Sequence, residues 1–432
     1  MEMDSFRQAI NIGLGRAILH LRNPSWKPYA QLIEHVCLHN TAYDAQCEGS
    51  RARYVYEIIT LTDDPQHFSA LVSAGLLEAR EHWDTVQLFD LAALFAKAGD
   101  PRARETMFEK FRRQDSQERF TGASQIVRVN GMAGLLFAAE QIGQFLATHP
   151  DDWGDDYLLS ESREILGADP EPELRRTADV NSNIRRFLET VDQNRKECRP
   201  KSEPEYRRYS YEEVKEMIVS RKGDVPCGWL FGWGRHAPEE ALRRAATDLL
   251  EEKDDKRQLA YLRIFNLRAF PLNSERLVQL ARRGNRDMAF ASIRALRHIQ
   301  DESVRQLALD LMDKGPAEGD AIQLLENNFV QGDEACIAPV LDGATNNDED
   351  FHSVTRAALG LFENNPDADA LPSMLAVYER CTCGLCRNGA VRILMDRRKM
   401  PGWMLQECHY DSNEETREAA RNLASLPDQA KE

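Results

Sequence analysis

The sequence predicts an all-α protein, an irregular α-solenoid of antiparallel helix pairs, and three observations carry that prediction. Strand-type alternation is nearly absent along the 432 residues. Apolar residues instead recur at helical spacing, in segment after segment. Polar turns containing Asp, Asn, Gly or Pro separate the segments, and short turns make successive helices antiparallel neighbours.

The stretch WDTVQLFDLAALFAKAGDPRARETMFEKFRR, residues 83–113, displays the grammar. Val86, Phe89, Ala93 and Ala96 recur at helical spacing, Gly99 stops the helix, and Asp100–Pro101 opens the next. An aspartate caps free amides there, and proline fits a first helical turn. Residues 237–313 repeat it through PEEALRRAATDLLEEK, DKRQLAYLRIFNL, NSERLVQLARRG, RDMAFASIRALRHI and DESVRQLALDLM. Two stretches interrupt the pattern. Residues 192–210 are charged and carry prolines, so they read as a linker. Residues 223–238, GDVPCGWLFGWGRHAP, surround Trp229, Phe231 and Trp233 with four glycines and read as a non-helical loop. The expected division is an N-terminal helical region (1–195), a linker and Gly/Trp-rich loop (196–236), and a repeat region (237–432).

Charge narrows the classes of partner. Asp and Glu number 71 against 55 Lys and Arg, a net charge of −16. That balance disfavours a general nucleic-acid binder, whose affinity comes from neutralising phosphates, and suits a basic protein partner. Glu2 and Asp4 stand where a secretory signal would need positive charge, and apolar runs such as 132–139 are too short to span a bilayer. Nine scattered cysteines argue for reduced thiols. The expectation is a cytoplasmic protein without a membrane segment.

One pattern recurs at the turns: Asp or Asn, two residues, a small or β-branched residue, then Arg. It occurs at Asp301–Val304–Arg305, Asn388–Val391–Arg392 and Asn413–Thr416–Arg417, with weaker copies at Asp100–Ala103–Arg104 and Asn181–Ile184–Arg185. The first residue is expected to cap the second helix of a pair, the third to enter the core, and the arginine to bond neighbouring turns. In this the chain resembles the HEAT-repeat family, best over about 237–425 and more loosely over 1–195, and is similar to uncharacterised bacterial HEAT-repeat proteins. The resemblance implies helix pairs stacked into a superhelix, and a non-catalytic scaffold that binds a protein segment on its concave side. It implies no particular activity.

Candidate chemistry falls in three places. In YDAQCEGSRARYVYEII, residues 43–59, Glu48 and Arg51 are expected on the same helical stripe as Val55, Ile58 and Ile59, so they should be buried together. They either brace the helix, or line a pocket with Tyr43, Asp44 and Gln46 as acid or base and anion clamp. In RCTCGLCRNGAVRIL, residues 380–394, Cys381, Cys383 and Cys386 precede Cys408 and His409. These cysteines are candidate zinc ligands; Cys383 and Cys386 also suit a redox pair, and inert packing is the plainer alternative. In GWLFGWGRH, residues 228–236, Trp229, Trp233 and Arg235 either form a docking surface or fold back to cap a stack end.

No GxSxG, HExxH or GxxxxGK[ST] motif occurs. The rival class is an enzyme resembling HEAT-like DNA glycosylases, with Trp83–Asp84 or Trp153–Gly154–Asp155 in the catalytic role; a HEAT-like bilin lyase is a remoter resemblance. Neither motif is complete, so no catalytic residue is assigned.

Overall fold

The computed structural model describes residues 1–23, 25–114, 120–150, 152, 156–197, 204–220, 228–283, 285–313, 319–344 and 348–425. All regular structure among them is helical, and no strand occurs. Trp153, Gly154 and Asp155 lie outside the described residues, as do 198–203 and 221–227 of the expected linker and loop. Contacts divide the chain into two compact units. The first comprises 1–200, 382–384 and 401–432, and the second 201–381 and 385–400.

In the first unit, Pro65–Glu78, His82–Lys97 and Pro101–Arg113 pack on one another. The turn between the last two forms as its sequence dictates. Gly99 adopts φ 100°, and the Asp100 carboxylate accepts from the amides of Arg102 and Ala103. Ala123–Thr148 bends at Gly131 and packs on Ser182–Glu197. The helices Gly402–Cys408 and Glu414–Ser425 belong to this unit and meet its opening helices. Arg16 Nε lies 2.8 Å from Glu407, Arg417 Nη1 lies 2.6 Å from Glu57, and Ser412 N donates to Gly13 O at 2.8 Å. Gly15 permits the approach, since a Cβ there would lie 1.9 Å from the Glu407 carbonyl oxygen.

The second unit is built by sequential stacking. Gly228–His236 packs on Asp255–Ile264, which packs on Arg286–Leu296, which packs on Gly319–Gln323. Glu239–Glu251, Glu275–Ala281 and Glu302–Asp313 alternate with them. Their apolar stripes, including Leu242, Leu249, Leu277, Leu280, Val304 and Leu307, are buried.

Two expectations need correction. GWLFGWGRH is not a loop, because Gly228–His236 is a helix. Its glycines permit contact. A Cβ on Gly234 would lie 2.0 Å from Ile264 O, and one on Gly232 would lie 2.6 Å from the Tyr206 hydroxyl. The second correction concerns the recurring turn pattern. Asp301, Asn413, Asp100 and Asn181 accept from amides two or three residues ahead, and Val304, Thr416, Ala103 and Ile184 are buried. Arg305 grips Asp333 through Nε and Nη2 at 2.9 and 2.6 Å, and Arg185 bonds the Ala178 and Asp179 carbonyls. Asn388 departs from this. It lies inside Gly384–Asp396, four residues after the helix starts, and Arg392 is exposed.

Candidate functional site

The stretch at 43–59 is not one helix. Asp44 caps Ala45–Glu48, its carboxylate accepting from Cys47 N at 3.2 Å. The chain then breaks at Gly49 (φ 76°, ψ −161°), a conformation closed to other residues, and resumes from Arg51 as Ala52–Thr60. The break still leaves both charges inside. The side chains of Glu48 and Arg51 are 6% and 5% exposed and lie 3.4 Å apart.

Their bonds tie together several segments of the first unit. Glu48 accepts from Asp44 N at 3.0 Å and from Gly384 N at 2.7 Å. Arg51 donates to Asn11 O, to Thr41 Oγ1 at 3.1 Å and to Thr382 O at 3.2 Å. The backbone amide of Arg51 donates to Gln87 Oε1, and the Gln87 amide group in turn bonds the carbonyls of Val36 and His39. A buried pair bonded on this many sides is built to hold segments together.

Tyr43, Asp44 and Gln46 face elsewhere. With Glu81, Trp83 and Asp84 they line an open hollow of about 620 Å³ in the first unit. Glu81 starts the helix His82–Lys97 by accepting from Asp84 N at 2.7 Å. This cap fixes Asp84, whose two oxygens take Asn40 N at 2.7 Å and His39 Nδ1 at 2.8 Å. Three carboxylates, two aromatic rings and the His39 imidazole therefore border it, and among the described residues neither Lys nor Arg lines the hollow. Such a lining attracts cations through both carboxylate charge and ring faces. Glu81 was not singled out from sequence. Its signal was available as a capping residue three positions before Asp84.

The other sequence candidates occupy different places. In the second unit, Trp233 is 2% exposed and its indole donates to Tyr209 O at 2.9 Å, while Trp229 is half-buried, edge-on to the Tyr209 ring. Trp233 thus folds back onto its own unit. Arg235 is exposed, and its carbonyl accepts from Arg268. Cys381, Cys383, Cys386 and Cys408 are buried cysteines outside any disulfide. Cys386 Sγ lies 3.5 Å from His352 Nδ1. Among the described residues, neither Cys381 nor Cys408 joins any group of three or more converging His, Cys, Asp or Glu ligand atoms. No helix among the described residues is long and apolar enough to cross a membrane. No protein-family model, curated protein or solved structure matches this chain.

Proposed function

We propose that this protein is a non-catalytic binding module whose units are HEAT-like arrays of stacked helix pairs, and that its first unit takes a basic segment of a protein partner. The observation that carries the reading is the hollow that Asp44, Glu81 and Asp84 line with Tyr43 and Trp83, with no Lys or Arg in the lining among the described residues. A guanidinium or ammonium entering it gains carboxylate and ring contacts at once, and charge of this sign speeds encounter with a basic chain. The packing of many helices on those one or two places away in the chain supports the repeat-array reading. The same lining argues against a phosphate-binding role for Trp83–Asp84, because phosphate contacts need cations.

The test is fluorescence anisotropy with a labelled hexa-arginine peptide. The expected result is saturable binding that weakens as salt rises and falls at least fivefold in Asp44→Asn and in Trp83→Ala. Binding that is absent, or unchanged in both variants, contradicts the reading.

A further inference from the structure

The second unit contains a hollow of about 430 Å³ with a different lining. Three successively stacked helices, Gly228–His236, Asp255–Ile264 and Arg286–Leu296, each give it one face. Phe231 comes from the first, Arg263 from the second with Asn266 just beyond its end, and Asp287, Phe290 and Arg294 from the third. The last three recur at spacings of three and four residues, so they share a face.

Two observations point to a ligand. Arg263 and Arg294 have no carboxylate partner among the described residues. Arginines on nearby turns do have one: Arg257 with Glu252, Arg268 with Glu239, and Arg282 with Asp310. Second, Arg294 Cζ sits 4.0 Å from the Phe290 ring centroid, and Phe290 is itself 37% exposed. Contact through its face holds a guanidinium while leaving its N–H edge to bond an anion.

We propose that this hollow binds a nucleotide. The phosphate bonds Arg263 and Arg294, and the base lies against Phe231 and Phe290. Asp287 stands two helical turns from Arg294 and repels phosphate, so it fixes which end of the ligand carries the charge. A bare anion would leave both rings unused, and an acidic peptide segment offers carboxylates but no flat ring. The volume lies within the range of roughly 300–1,000 Å³ usual for small-ligand sites. None of these residues belongs to the acidic hollow of the first unit, so this inference stands apart from the peptide-binding reading.

Calorimetric titration of the full chain with AMP tests the inference, with adenosine, inorganic phosphate and a hexaglutamate peptide as comparison probes. The expected result is saturable AMP binding at least tenfold tighter than adenosine or phosphate. It should fall at least tenfold in Arg263→Gln and in Arg294→Gln, with circular dichroism unchanged. Four outcomes overturn the proposal: no AMP binding, AMP affinity unchanged in both folded variants, phosphate binding as tight as AMP, or hexaglutamate binding more tightly than AMP.

Discussion

The two hollows have opposite character although helices build both. The first unit places Asp44, Glu81 and Asp84 along a hollow that no Lys or Arg lines among the described residues. The second brings Arg263 and Arg294, which have no carboxylate partner among the described residues, to a space bordered by two phenylalanines. A net charge of −16 describes neither of them. Packing constrains only the buried stripe of each helix, so the outward stripe is free to acquire local charge that the whole-chain balance conceals. Whole-chain charge therefore indicates solubility and encounter, while the lining of one hollow indicates what it can hold.

The contrast extends to individual arginines. Arg51 lies inside the first unit beside Glu48, with its bonds directed at carbonyls and a hydroxyl, whereas Arg294 lies at a surface hollow against a phenyl ring. Arg51→Leu leaves the Glu48 carboxylate buried without its cation and should lower stability by about 3–5 kcal/mol, read as the urea midpoint. Arg294→Gln should change it by about 0.5 kcal/mol or less. Similar losses in both would erase the distinction between brace and binding residue. The pair Glu48→Gln with Arg51→Leu sharpens it further, and should be less destabilised than Arg51→Leu alone because no buried charge remains.

Two glycines mark the next largest difference. Gly234→Ala places a methyl 2.0 Å from the Ile264 carbonyl oxygen, so stacked helices must separate; the expected loss is about 3 kcal/mol. A Cβ on Gly49 would meet nothing within 4 Å, and the cost of Gly49→Ala is purely conformational, about 1–2 kcal/mol. Urea midpoints of the two variants separate close approach from backbone freedom, and a harmless Gly234→Ala would mean the helices have room to spare.

The smallest effect depends on pH. Burial, and then the hydrogen bond to Asp248, push the Tyr211 phenol far above its usual range. A raised folded-state pKa contributes stability that is fully present below the unfolded value of about 10 and is lost as pH rises beyond it, at no more than about 1.4 kcal/mol per pH unit for one group. Urea midpoints at pH 9, 10 and 11 should decline more gently in Tyr211→Phe than in the natural chain. Parallel declines would remove Tyr211 from the alkaline transition.

Much of the helical layout was legible because its signals are local. Asp100, Asp301, Asn181 and Asn413 cap helices where the sequence expected caps, and the residues three further on are buried. The mutual burial of Glu48 and Arg51 was also legible, since two charges beginning an apolar stripe need each other. What failed had non-local causes. GWLFGWGRH was expected to be a loop because glycine permits flexibility, but Gly232 and Gly234 meet Tyr206 and Ile264, contacts invisible in the segment itself. Asn388 fits the capping pattern letter by letter, yet the helix starting at Gly384 already contains it. The join of Gly402–Cys408 and Glu414–Ser425 to the opening helices links residues hundreds of positions apart, and no periodicity encodes that. Of the candidate pocket, Tyr43, Asp44 and Gln46 line the hollow, while Glu81 and Asp84 arrive from another helix.

The most direct test of the central claim, that two helical units of one acidic chain hold ligands of opposite charge, is a crossed binding measurement on the full-length protein. Hexa-arginine and AMP are each titrated into Asp44→Asn and into Arg294→Gln. The account predicts that Asp44→Asn weakens only the peptide and Arg294→Gln weakens only AMP. It is contradicted if either variant weakens both ligands equally, or if neither variant weakens either one.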